Sequence, residues 1–317
     1  MSSNQPSRRT VLTAGVGAIG LGIVGVSAIE FATDDDSPGA EGFTAKTVPA
    51  GSDPLVLVDA DEIASSDTAN GVTRTLLGAG QFDDLPDALV GMFGDESQSV
   101  IDPEAVGKMA FVGSETGDGG GAVVWADWTD DELLEVLESG GGNATPSESY
   151  RDRMMYGTDD ASAAVLGDTE FALGTPEVVR TIADVWHGDA DPVGGTTLDS
   201  FERTPSEATV RFSFEEIQFS CDDTTASDSD AYDAVTQVYG WVPASDDGIR
   251  LRLRVESNDA TDEVAAAVRS DPGVDGDAVT VGHDADFVTV EYSPDDENSD
   301  FAGDGIETTV CAIGRSG

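Results

Sequence analysis

His187 and His283 are the two imidazoles in a chain of 317 residues, so a general base working near neutral pH, or an imidazole metal ligand, has to be one of them. His187 closes an apolar stripe of Val178, Val179, Ile182, Val185 and Trp186 that reads as a helix ending at Gly188. The partial negative charge on that helix end favours a cation there, which makes His187 an end-residue before it is a catalyst. His283 falls in Gly282-His283-Asp284, read as a hairpin turn between two short strands. Neither context sets up a Ser-His-Asp site.

Carboxylates are abundant, with 63 Asp and Glu, so pairs of them carry little information. Asp228, Asp230 and Asp233, and again Asp295, Asp296, Glu297 and Asp300, offer oxygen ligands for a calcium ion. Neither set has the spaced loop with a central glycine and a terminal glutamate. Asp59 and Asp61, at the end of a predicted strand, are the candidates for acid–base work by a carboxylate pair. The phosphate-binding, zinc-helix, nucleophile-elbow and dinucleotide patterns are missing. Gly117 to Gly121 follows an acidic stretch and leads into a strand, so it reads as a flexible turn and not a phosphate cradle. Catalytic and metal-ligating residues therefore stay unassigned, and no residue set calls for a cofactor.

Three other features can carry chemistry. Arg250, Arg252 and Arg254 alternate with Leu251, Leu253 and Val255, and a period of two places all three arginines on one face of a strand. The plainer expectation is pairing with Asp or Glu of neighbouring strands. The sharper one is a basic strip that recognises an acidic envelope glycan or protein. Cys221 and Cys311 are the disulfide candidates, or else two buried thiols. Asn143-Ala144-Thr145 is a glycosylation sequon in a predicted loop, with Pro146 directly after it.

The chain around these residues begins with Ser7-Arg8-Arg9-Thr10-Val11-Leu12, followed by an uncharged run from Thr10 to Ile29 that five glycines dilute. Arg8 and Arg9 read as the address of a twin-arginine export signal, and the translocase that reads it is a partner during export. Small residues at Val26-Ser27-Ala28 offer a cleavage site. A run of this length also suffices for a retained N-terminal anchor, the one contact with a membrane that the sequence suggests. Residues 1–28 are thus signal or anchor, 29–53 an acidic linker, and the expected location is outside the cytoplasm, secreted or tethered at the cell surface.

Fifteen Lys and Arg against 63 acids give a formal net charge of −48, with Lys46 and Lys108 the two lysines. Such a surface repels nucleic acid and anionic lipid heads. At ordinary ionic strength it also repels itself, whereas in molar salt the screening length shrinks to about 3 Å. The hydrophobic fraction of 39%, arranged in periodic blocks, argues against disorder. Acidic excess, scarce lysine and a twin-arginine signal together resemble the exported proteins of halophilic archaea. The run from Phe171 to Arg180, strand then Gly-Thr-Pro-Glu helix, looks like that of an uncharacterised family of such proteins. The resemblance implies a habitat and carries no activity.

From residue 54 the pattern is strands in hairpins interspersed with few helices. Strands are predicted at 54–58, 110–112, 122–125, 153–156, 163–166, 171–173, 208–214, 237–242, 249–255, 278–281 and 287–290, with a last one at 306–313. Helices are predicted twice between 63 and 94, after the capping box Thr129 to Glu132, from Pro176 to His187, and over 261–269. Residues 188–200 read as a Gly- and Asp-rich break. This is an α+β pattern of antiparallel sheets with helices packed on one face. The order recurs as a duplicated strand-strand-helix-hairpin unit, in 54–192 and 193–317, and both hairpins carry Asp-x-x-Phe, at Asp168/Phe171 and Asp284/Phe287. The expected function is an exported, salt-adapted cell-envelope protein, a non-enzymatic binding or structural component. The alternative is an extracellular hydrolase using carboxylates or a divalent cation.

Overall fold

The computed structural model describes residues 47–63, 65–79, 82, 85–93, 101–102, 105–113, 119–139, 142–151, 153–158, 161–215, 230–245, 248–270 and 279–293. Arg8, Arg9, Cys221, Cys311, the strand expected at 306–313 and the acidic cluster at 295–300 lie outside the described residues. Among the described residues no helix is long and apolar enough to cross a membrane.

The first half runs β1 (Leu55–Asp59), α1 (Ala60–Ile63), α2 (Asp67–Ala79), α3 (Asp87–Gly91), β2 (Val106–Val112), β3 (Gly121–Ala126), α4 (Asp130–Glu138), β4 (Thr145–Tyr150), β5 (Arg153–Gly157), β6 (Ser162–Val165), β7 (Glu170–Gly174), α5 (Pro176–His187) and α6 (Gly195–Glu202). The second half runs β8 (Val210–Phe214), a short 3-10 turn at Asp230–Ala234, β9 (Val235–Val242), β10 (Ile249–Val255), α7 (Asn258–Ser270), β11 (Val279–Asp284) and β12 (Phe287–Tyr292). Local chemistry sets the helix ends. Thr129 accepts from the Glu132 amide at 3.3 Å while Glu132 takes the Thr129 amide at 2.7 Å, so two orphan donors at the start of α4 are satisfied together. Thr175 caps α5, Pro176 fills its first position, and Gly188 ends it at φ 78, a left-handed conformation that glycine adopts without strain.

All twelve strands join one antiparallel sheet in the order β11-β12-β10-β9-β8-β1-β2-β3-β7-β6-β5-β4. The duplication is visible in this order. In β2-β3-α4-β6-β7, where the edge pair β4-β5 is inserted after the helix, and in β9-β10-α7-β11-β12, a hairpin leads into a helix and a second hairpin returns, its last strand lying beside the strand that preceded the helix. The halves meet where β1 pairs with β8 in the middle of the sheet, Leu55 opposite Ser213 and Val58 opposite Val210.

The α+β class is as expected, and α1 to α4 and α7 cover one face of the sheet. Their apolar residues close on Val56, Phe111, Val124, Phe212, Leu253 and Val288. Gly240 belongs to this face because a Cβ there would stand 2.6 Å from the ring of Phe212. In place of the expected helices on one face of several sheets, the single sheet is covered on both: the opposite face carries α5 and α6, which pack Val179, Ile182 and Phe201 onto Leu55, Leu57, Val112, Val123 and Trp125.

Four local expectations change. Residues 188–200 contain the start of α6, and Thr145–Tyr150 form the edge strand β4, both from sequences too polar to show a period. His283 sits in β11, because the turn is made by Ala285 and Asp286 with Asp284 paired to Phe287. The two Asp-x-x-Phe motifs are not equivalent: Phe171 lies opposite Val124 on the helix-rich face, whereas Phe287 lies opposite Arg254 on the other.

Candidate functional site

At the junction of the two halves, Asp59 ends β1 directly opposite Lys108 of β2, and Arg211 of β8 lies opposite Leu57. The Lys108 Nζ stands 3.9 Å from Asp59 Oδ2. Burial raises the Asp59 pKa against the opposing pull of Lys108, with Asp61 and Glu62 adding to the rise. Burial lowers the Lys108 pKa, against Asp59. Each partner is thus pushed toward its neutral form, because desolvation outweighs attraction across that distance. Arg211 is almost fully buried; it donates from Nε to Thr204 Oγ1 at 2.6 Å and to the Phe201 carbonyl, and its guanidinium lies 5.3 Å from the Phe201 ring centroid. Burial brings its pKa down to about 10, with Glu207 opposing.

These groups line a cavity of about 10 Å³ together with Met109 and Trp125. That is room for one water molecule and not for a substrate. Asp59, a candidate from the sequence, is therefore perturbed by burial, which its partner Lys108 only partly offsets, and Asp61 is exposed beside it. Lys108 did carry a signal, as one of two lysines in the chain.

The histidines are not brought together. His187 is exposed in the last turn of α5, and His283 stands on β11 with Nε2 3.4 Å from Asp262 of α7. Among the described residues no three His, Cys, Asp or Glu side chains converge on a point that could hold a metal ion. Asp230 and Asp233 lie in the 3-10 turn, with Asp228 outside the described residues. Asn143 and Thr145 are exposed, as modification of a sequon requires. They border an open depression of about 560 Å³ lined also by Ser147, Glu148, Thr158 and Arg180, with Arg180 Nη2 2.6 Å from Glu148 Oε1.

The arginines of β10 share the face of the sheet that holds α5 and α6, but they lie at the far end, beyond β8. Arg250 pairs with Glu291 of β12, Nε to Oε1 at 3.4 Å, where both are well exposed. Arg252 lies between Tyr239 and Thr289, and Arg254 between Gln237 and Phe287. Neither has a carboxylate partner among the described residues. The Arg254 guanidinium instead stands 5.4 Å from the centroid of Phe287, and Arg203, at the end of α6, approaches the same ring at 5.6 Å. Tyr239 meets Phe287 edge to face at 6.1 Å, across β10. Beneath this layer the Nε of Arg252 and of Arg254, the Tyr239 hydroxyl, the Trp241 Nε1 and the Gln237 Oε1 are buried without a hydrogen-bond partner among the described residues. A buried donor or acceptor left unpaired costs about 1–3 kcal/mol, so five in one place call for an explanation.

No family model and no curated protein matches the sequence. The fold is similar to solved structures of TP0453. Crystal form III matches with a TM-score of 0.50 at 8% identity, over 83% of this chain and 97% of that one. Crystal form I gives 0.48 at 9% identity over 83% and 96%, and crystal form IV gives 0.48 at 8% over 78% and 91%. At this identity the likeness is one of fold alone, and the fold that the chain shares with crystal form III of TP0453 extends through most of both molecules.

Proposed function

We propose that the chain is an exported, salt-adapted component of the cell envelope that binds an acidic partner and carries out no reaction. Export rests on Arg8 and Arg9, the salt adaptation on the net charge of −48. The observation that carries the binding reading is the state of the arginine strip. In a chain with 63 acids and 15 bases, a guanidinium on the surface has carboxylates within easy reach. Among the described residues Arg252 and Arg254 have none, and Arg250 has one weak, solvent-screened contact. Positive charge that no described carboxylate neutralises is available to a partner's.

The test is a triple substitution, Arg250→Gln, Arg252→Gln and Arg254→Gln, in the exported full-length protein. Retention on purified envelope material in molar NaCl should be lost. Stability should change by about 2 kcal/mol or less, because the exposed Arg250–Glu291 ion pair and the Arg254–Phe287 contact are each worth about 1 kcal/mol or less. Retention unchanged, or a large loss of stability, would return the arginines to a structural role.

A further inference from the structure

We infer that Arg203, Arg252 and Arg254 form an oxyanion site around Phe287 whose ligand is a slender acidic saccharide lying along β10, its carboxylate or sulfate held by the guanidiniums. This rests on the binding reading above and gives it a ligand class.

Two arginines on one ring are the starting point. The guanidiniums of Arg203 and Arg254 stand 5.6 and 5.4 Å from the centroid of Phe287, and Arg252 is the next residue on that face of β10. None of the three has a carboxylate partner among the described residues, and two of them have the same ring as neighbour. Acidic groups spaced along one polymer chain can meet these guanidiniums in turn. A guanidinium edge presents two parallel N–H groups, a match for the paired oxygens of a carboxylate or sulfate that a chloride ion lacks. The distinction matters in molar NaCl, where screening over about 3 Å removes long-range attraction and leaves direct hydrogen-bonded contact to decide what binds.

The width of the site and the acids that flank it narrow the ligand further. Strands lie about 4.8 Å apart, so the strip between β9 and β12 is about 10 Å wide. Asp284 and Glu291 border it on the side of β11 and β12, in position to repel a broad acidic surface. A single polymer chain fits between. The Tyr239 hydroxyl, Trp241 Nε1 and Gln237 Oε1 lie beneath this layer, closed off from a ligand on the surface, with the Gln237 amide nitrogen turned to Ser213 Oγ and to the Thr196 carbonyl of α6, so the ligand is held by the guanidiniums alone. An acidic peptide fits this face less well, since an extended backbone finds its ladder partners at a sheet edge and not on a sheet face.

Calorimetric titration of the folded full-length protein in molar NaCl tests the inference with four probes: a galacturonate oligosaccharide, a sulfated dextran oligomer, neutral dextran and oligoglutamate. One or both acidic sugars should bind, the two arms separating carboxylate from sulfate, and neutral dextran should not. Arg203→Gln and Arg252→Gln should each weaken the binding about tenfold or more, as expected for a lost charge-assisted hydrogen bond. Arg252→Lys and Arg254→Lys should weaken it too, with the circular-dichroism spectrum unchanged, because charge remains while the paired N–H edge is gone. Arg74→Gln, on α2 across the sheet, should bind normally. Failure of both acidic sugars to bind, equal binding by the lysine variants, or tighter binding of oligoglutamate would each overturn the saccharide assignment. Retention on envelope without sugar binding would sink this inference alone, and sugar binding without retention would sink the envelope reading alone.

Discussion

Lys108 and Asp59 face each other at the centre of the sheet as an ion pair that burial works against. The direction of each shift fixes how the pair responds to pH. A carboxylate whose folded pKa lies above its unfolded value penalises the folded state at high pH, and the penalty disappears as pH falls through the folded pKa toward the ordinary aspartate value of 3.8. Replacing Lys108 with Met removes the charge that holds the Asp59 pKa down, so the folded pKa rises further. Lys108→Met should therefore be destabilised near pH 7 by about 1–3 kcal/mol, a lower figure than for a fully enclosed pair because Asp59 keeps a quarter of its side chain exposed. The deficit against the parent should shrink steadily toward pH 4. Adding Asp59→Asn to Lys108→Met should remove most of the deficit at neutral pH. Urea melts of the three proteins between pH 4 and 8 provide the check, and a deficit independent of pH would mean that packing and not charge is lost.

At the scale of elements, the edge of the first half is held by α5 as much as by its own ladder. Asp184 of α5 accepts from the Tyr150 hydroxyl at 3.0 Å and from Arg151 Nε at 2.9 Å, while Arg180 reaches Glu148. Strand β4 itself is exposed along its length and contains Pro146, so it has little apolar surface to bury. Asp184→Ala should accordingly speed amide exchange in β4 and its partner β5, leaving β2, β3 and β7 protected; uniform loss of protection would show instead that α5 anchors the whole half. The same facts explain what could be read beforehand. Strands β1, β3, β10 and helix α5 bury a face and show it as a run or a period, whereas β4 and α6 depend on contacts made far away in sequence and display none. The duplication was legible from the order of elements, while the shared Asp-x-x-Phe letters were coincidence, placing Phe171 and Phe287 on opposite faces. The arginines of β10 were visible through their period of two. Arg203, Tyr239 and Phe287, which turn them into a site, come from three other elements that only the sheet order brings beside them.

For the whole molecule, the question is how one sheet survives a net charge of −48. Ion pairs offset little of it, because several of those between described residues join side chains that are themselves more than two-fifths exposed. Exposed helix faces concentrate the excess: α4 alone carries Asp130, Asp131, Glu132, Glu135 and Glu138. Screening must then come from solution. At about 0.1 M salt the Debye length is about 10 Å and carboxylates on neighbouring turns and strands repel one another, while at about 1 M it is about 3 Å and they do not. The melting temperature should fall steeply as NaCl is lowered from molar to tens of millimolar, and the chain should unfold cooperatively at the low end. Sucrose offers a discriminating control, since it strengthens apolar burial without carrying charge. If screening is the cause, sucrose at matched osmolality should recover only a small part of the lost stability. Full recovery would place the salt requirement in the weakness of the core, and a melt unchanged by NaCl would remove the salt adaptation altogether.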